Sequence, residues 1–199
     1  ASTTWLECHL RDKNLIIVDT DISAQYKRAH IPGAVVIEDN YEKDPETGRV
    51  HVLDVQAFAH MVESLGIGND TTVVAYDNSR GLYAARLWWT LNYYGHTSVK
   101  VLNGGWLKWL TEGKPITTSN PDVPQGIKFT SRVNPSLMVT TDQLKEDYQK
   151  PEFVVWDVRS RAEYTGANTR GNRRPGHIPG SVNLEWLELV DAETHTLKS

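Results

Sequence analysis

The sequence predicts an α/β fold present twice, each copy a mainly parallel sheet with helices on both faces and the second copy incomplete. Three observations carry this reading. His30-Ile31-Pro32-Gly33-Ala34 returns as His177-Ile178-Pro179-Gly180-Ser181, and a recurrence over a domain-sized distance marks a tandem. Apolar runs closed by an aspartate precede both, Leu15-Ile16-Ile17-Val18-Asp19 and Phe153-Val154-Val155-Trp156-Asp157, with Ala24-Gln25-Tyr26 and Ala162-Glu163-Tyr164 between aspartate and histidine. Strand-like runs then alternate with helix-like ones over short connections, the pattern of a parallel sheet covered by helices.

In chain order, residues 4–10 read as a short amphipathic helix, and Thr3-Thr4-Trp5-Leu6 is matched by Thr140-Thr141-Asp142-Gln143-Leu144 with one extra residue. Residues 15–18 form a continuous apolar run with β-branched members, the mark of a buried parallel strand. Val35-Val36-Ile37 gives a second strand after the Pro-Gly turn, and residues 41–48, with Pro45 and Gly48, read as a surface loop. Phe58, Met61, Val62 and Leu65 lie at helical spacing before Gly66, a C-terminal helix signal. Residues 70–76 are a third strand. Residues 82–94 are helical with Leu87, Trp88, Leu91 and Tyr94 inward, and Gly95 ends that helix. Residues 99–102 are a fourth strand, followed by Gly104-Gly105 and a helix over 106–112. Residues 119–135 hold Pro121, Pro124 and Pro135 with little periodicity and read as a linker. The expected domains are therefore 1–118 and 136–199, the latter opening with a helix over 140–148 and a strand over 153–157.

With 199 residues the chain can bury a sizeable core. Its hydrophobic fraction of 39% and charged fraction of 23% are ordinary for a globular protein. A net charge of −4 with dispersed Lys and Arg offers no nucleic-acid footprint, and no apolar run reaches the length of a membrane span. No basic segment followed by an apolar one opens the chain, which favours the cytoplasm, although a processed precursor would read the same. The single cysteine, Cys8, forbids an intrachain disulfide and reads as a helix-face thiol. A phosphatase-type loop would need arginine six residues later, where Asn14 stands. The seven histidines lack ligand spacing, so neither metal nor cofactor is expected.

In an open α/β sheet, ligands bind at the carboxyl ends of the strands. The turn most suited to this is Tyr76-Asp77-Asn78-Ser79-Arg80-Gly81-Leu82, where N–H groups curled at a helix start favour an anion. A thiolate there would be a good nucleophile, but Asp77 holds the first loop position and is expected to cap the helix or pair with Arg80 or Arg86. Asp19 and Asp157 close their strands. His30 and His177 precede Pro-Gly turns and are expected to fix them by hydrogen bonding.

With these residues in place the chain resembles the two-domain rhodanese (thiosulfate sulfurtransferase) family: an aspartate-ended strand, His-Ile-Pro-Gly, Val73-Val74-Ala75-Tyr76 plus loop, and Leu102-Asn103-Gly104-Gly105-Trp106 with Trp109, Gly113 and Pro115. The resemblance implies an inactive first domain, with Asp77 in the place of the family's nucleophilic cysteine, and a catalytic second domain. Asp77 lies about 44 positions beyond Gly33, an offset that runs past Ser199 when counted from Gly180. The cysteine loop and later strands of the second copy are thus expected on a separate C-terminal fragment, left by a nick or a split gene near the polar segment 191–199. An insertion over 167–174 carries Arg170, Arg173 and Arg174. With Arg161 these are the expected contacts to a donor sulfonate or carboxylate, guanidinium being a planar, bidentate donor set.

The resemblance implies transfer of sulfane sulfur from thiosulfate to cyanide or a thiol through a cysteine persulfide. The alternatives are 3-mercaptopyruvate as donor and a catalytically inactive binding or regulatory module. Expected partners are the small sulfur donor and acceptor and the completing fragment.

Overall fold

A parallel strand buried on both faces needs a neighbour on each edge, and β1 (Leu15–Asp19) has both. A computed structural model describes residues 1–37 and 54–199. In it β1 pairs in parallel with β2 (Ala34–Val36) on one side and with β3 (Thr72–Tyr76) on the other, and β4 (Val99–Val101) completes the order β2-β1-β3-β4. The loop expected over 41–48 lies outside the described residues.

The helices that cover this sheet start where polar side chains satisfy the first N–H groups. Ser2 accepts from the Trp5 N–H to open α1 (Thr3–His9). Asp54 accepts from Gln56 and Ala57 to open α3 (Val55–Ser64). The four-residue helix α2 (Ser23–Tyr26) lies between β1 and β2, α4 (Leu82–Tyr93) between β3 and β4, and α5 (Gly105–Thr111) follows β4. Val18, Val35, Val73 and Ala75 pack on one side of the sheet with Phe58 and Val62 of α3 and Leu87 and Leu91 of α4. Ile17, Val74 and Tyr76 pack on the other side with Leu6 of α1 and Trp109 of α5. Trp109 is fully buried, and its indole N–H donates to the Pro115 carbonyl at 2.7 Å.

Details of the sequence reading change. Trp88 is 42% exposed rather than inward. It follows the buried Leu87 by about 100° around the helix, which carries it off the core face. Residues 119–134 form no helix or strand, as a connector would, yet they lie along the first unit. Phe129 enters its core, the Glu63 carboxylate accepts from the Phe129 N–H at 2.9 Å, and the Arg132 and Asn134 N–H groups donate to Tyr94 and Tyr93.

The chain divides into two compact units, Ala1–Pro135 and Ser136–Glu193, with the last six residues shared out between them. In the second unit, α6 (Thr141–Asp147) opens with a reciprocal cap between Thr140 and Gln143. Ser2 and Thr140 are thus equivalent caps, so the two first helices align without the extra residue. β5 (Trp156–Asp157) is shorter than the expected 153–157 and pairs in parallel with β6 (Val182–Asn183) alone. Between them α7 (Arg161–Thr165) takes the place that α2 has in the first unit. Val35 is 6% exposed and its counterpart Val182 55%; Ile31 is fully buried and Ile178 36% exposed. Among the described residues no helix is long and apolar enough to cross a membrane.

Trp109→Ala should lower the stability of the first unit by about 3–5 kcal/mol, and Trp88→Ala by less than about 1 kcal/mol. Urea unfolding followed by far-ultraviolet circular dichroism measures both; equal losses would contradict the assignment of the core face.

Candidate functional site

β3 delivers Asp77 to the carboxyl edge of the first sheet, and the chain then turns through Asn78-Ser79-Arg80-Gly81 into α4. The turn takes left-handed backbone at two successive residues, Arg80 (φ 61°) and Gly81 (φ 87°), which curls the N–H groups inward. Four of them converge on one side chain. Asp77 Oδ1 accepts from Ser79 and Gly81, each at 2.8 Å, and Oδ2 from Tyr83 and Ala84, each at 2.9 Å. The anion cradle expected from the sequence is filled by the chain's own buried carboxylate, which caps α4. Charge-assisted hydrogen bonds to several N–H groups are among the strongest that a carboxylate makes. The start of α5 backs the loop: Trp106 N–H donates to the Asp77 carbonyl at 2.9 Å, and a Cβ on Gly105 would come within 2.2 Å of that oxygen.

Two more carboxylates flank the cradle at the end of β1. Asp19 Oδ1 accepts from the Asp21 N–H at 2.9 Å, and Asp21 Oδ2 accepts from the Asn78 N–H at 2.6 Å. Burial pushes the Asp21 carboxyl up to about 6, and the charges of Asp19 and Asp77 act in the same direction. Burial also raises Asp19, against a hydrogen bond from Tyr76 that favours its charged form. Burial and the nearby Asp19 raise the Tyr76 phenol well above its ordinary value.

His30 lies fully buried behind Asp19. Its Nδ1 is 2.9 Å from the Tyr26 carbonyl and its ring stacks on Tyr26 with centroids 3.8 Å apart, while the Tyr26 hydroxyl donates to the Ala34 carbonyl. His177 repeats the arrangement with Tyr164, at 2.8 Å and 3.7 Å, and the Tyr164 hydroxyl donates to Ser181. Both histidines therefore hold a turn in the described structure.

In the second unit the strand-end carboxylate has a cation. Asp157 accepts from Arg159 through Nε at 2.9 Å and Nη2 at 2.6 Å, and Nη2 also donates to the Gly176 carbonyl. The Arg159 guanidinium holds the Asp157 carboxyl below its ordinary value. The four arginines read as substrate contacts are not gathered at one point. Arg161 lies over the Tyr164 ring at 5.3 Å, and Arg170 Nε pairs with Glu163 at 3.2 Å. Arg173 is exposed. Arg174 lines a groove of about 810 Å³ together with Asp157, Arg159, His177 and Lys145. Arg159 was not among the expected contacts; its signal is its place two residues after the strand-end aspartate, where the first copy has Asp21. The apolar wall of that groove includes Leu144, Val155 and Ile178. Their first-copy counterparts Leu6, Ile17 and Ile31 pack against Val74, Tyr76, Leu102 and Trp109, partners that the second unit lacks.

The sequence pattern of the rhodanese-like domain matches residues 2–112 and 140–198. The sulfur carrier protein TtuD of Thermus thermophilus is 36% identical over 205 residues, covering 96% of this chain and 71% of that protein. Thiosulfate sulfurtransferase of Cricetulus griseus is 37% identical over 172 residues, covering 83% of this chain and 58% of that protein. The 3-mercaptopyruvate sulfurtransferase of Rattus norvegicus is 35% identical, covering 87% and 60%. The chain thus spans about six tenths of the two sulfurtransferases. Among solved structures, SseA from Escherichia coli, described under 3-mercaptopyruvate sulfotransferases, superimposes with a TM-score of 0.87 at 26% identity, over all of this chain and 78% of that one.

The raised Asp21 carboxyl gives the first unit a defined pH response. The folded group keeps its proton up to about pH 6, against 3.8 for the ordinary carboxyl. Its contribution to stability is therefore greatest below pH 3.8 and is lost as pH rises through about 6. Asp21→Asn should raise the melting temperature above pH 6 and flatten its dependence between pH 4 and 6, read by calorimetry across pH; an unchanged slope would contradict the shift.

Proposed function

Because this chain belongs to the rhodanese-like domain family, we propose that it serves in sulfane-sulfur transfer, with the reacting cysteine on a segment that completes the second unit. The observation that carries this is the cradle at Asp77, where four N–H groups converge on one anionic side chain. Such a cradle suits a thiolate or persulfide equally well. A carboxylate occupies it in the first unit, so residues 1–118 are assigned a supporting role and residues 136–199 the beginning of the transferring copy.

A completing segment is supported by what the second unit leaves uncovered. Trp156, Val182 and Leu184 stand in the places of the buried Val18, Val35 and Ile37, and all three are exposed. A segment with the order of residues 54–112 would add a parallel strand beside β5 and cover both faces, bringing its own cradle next to Asp157 and Arg159.

In the transfer itself, the cysteine thiolate attacks the outer sulfur of thiosulfate, the S–S bond breaks, and sulfite leaves with the bonding pair. The resulting persulfide yields its terminal sulfur to cyanide, giving thiocyanate, or to an acceptor thiol. Arg174, on the wall shared with Arg159, is assigned the donor's sulfonate, with Arg173 on the same insertion. Arg161 and Arg170 are assigned to holding α7 and the insertion through Tyr164 and Glu163. A carboxylate donor such as 3-mercaptopyruvate would meet the same guanidinium.

The thiosulfate:cyanide assay tests this. The chain alone should form no more thiocyanate than its Cys8→Ser variant. Together with a cysteine-bearing polypeptide supplying the remaining strands it should turn over, and Arg174→Ala should then raise the KM for thiosulfate by about tenfold with little change in kcat. Turnover by the chain alone would overturn the placement of the reacting cysteine, and a reconstituted protein inert toward both donors would favour the inactive binding module, a reading that Asp77 in the first cradle also fits.

A further inference from the structure

The two copies carry opposite charges two residues past the strand-end aspartate. β1 leads into Asp19-Thr20-Asp21 and β5 into Asp157-Val158-Arg159. In both, the third residue turns its N–H back onto the strand-end carboxylate, at 2.9 Å in the first copy and 3.0 Å in the second. The backbone therefore presents Asp21 and Arg159 in the same way. In the first copy that side chain reaches the loop itself, where Asp21 Oδ2 accepts from the N–H of Asn78, the residue next to Asp77. Asp19 and Asp21 at the end of β1 both feel the Asp77 charge, Tyr76 hydrogen-bonds Asp19, and His30 acts on Asp19; Arg28 lines a surface pocket with Asn78, Arg80 belongs to the loop and Arg86 to α4. Asp19 and His30 recur as Asp157 and His177, so among the β1-side groups only the third position reverses its charge.

We propose that this position, Asp21 in the first copy and Arg159 in the second, governs the charge state of the first side chain in the adjoining loop. Asp21 disfavours an anionic sulfur in the first cradle. Arg159 is a positioning residue that favours a thiolate and its persulfide in the second, acting while it stays anchored on Asp157 and the Gly176 carbonyl. The step concerned is ionisation alone: the S–H proton passes to water and the sulfur keeps the bonding pair. The role given to Arg159 rests on the sulfur-transfer reading, whereas the electrostatic claim is measurable in the first copy without it.

The experiment places a thiol in the first cradle of the full chain by Asp77→Cys on a Cys8→Ser background, alone and combined with Asp21→Asn, Asp21→Lys or Asp21→Arg. The thiol pKa is read from the pH dependence of its alkylation rate and from thiolate absorbance. The expected order falls from Asp21 through Asn to Lys and Arg, with the cationic variants about one to three units below the parent. Coincident pKa values across the series would overturn the proposal. Should a cationic variant not fold, as judged by circular dichroism, the Asp21→Asn comparison decides it, with a drop supporting the proposal and no drop defeating it. Incubation with thiosulfate and intact mass, read for a gain of one sulfur atom, separates the two readings. A pKa that follows the charge with no sulfur taken up upholds the electrostatic role while counting against sulfur transfer.

Discussion

The architecture of both units rests on one local closure, in which a tyrosine and a histidine four or thirteen residues apart clamp the His-Ile-Pro-Gly turn. The tyrosine hydroxyl donates beyond the turn, at 2.8 Å to Ala34 and 2.7 Å to Ser181, while the histidine ring stacks on the phenol and meets the tyrosine's own carbonyl. Gly33 and Gly180 both take positive φ there, 83° and 81°, a conformation that favours glycine. This closure sets the next strand in parallel register with the one before it, Ile17 opposite Ala34 and Trp156 opposite Val182. In the first unit later residues add to it, since His30 pairs with Thr117 through both backbone groups and the Ile31 N–H donates to the Tyr76 hydroxyl, but the tyrosine–histidine contacts themselves are local. That is why the second unit keeps it, with His177 exposed, although its sheet has only two strands.

On that frame the two copies differ in charge. The first cradle is satisfied internally, since four N–H groups that could hold a bound anion are engaged by Asp77. Asp19 and Asp21 add two carboxyls whose burial makes ionisation costly, and both are raised. In the second unit the corresponding aspartate is lowered by its arginine. The two copies thus share one backbone plan with opposite charges two residues past the strand-end aspartate, Asp21 reaching the loop in the first and Arg159 paired with Asp157 in the second.

Much of this was legible in the residues because it is local. The alternation of apolar runs with helical spacing, the aspartates closing their strands and the repeated His-Ile-Pro-Gly all act over short stretches of chain. The misreadings arose where a side chain's surroundings come from elsewhere. Trp88 is as apolar as Leu87, and only the direction it takes around α4 leaves it exposed. Residues 119–134 lack periodicity and so read as a connector, while Phe129 is held by the remote Glu63 and the core around Phe58. β5 is cut to two residues because a strand is defined by its partners, and there is one neighbour where β1 has two. Arg159 escaped notice for a similar reason: its meaning lies in the comparison with Asp21, which becomes informative only once the reach of Asp21 to the loop is seen.

Gly105 lies 28 positions beyond Asp77 in the chain, yet it decides whether the loop can exist in this form. Any side chain there would press on the Asp77 carbonyl, the oxygen that receives the Trp106 N–H. The Gly-Gly-Trp segment is therefore a mould against which the cradle is cast.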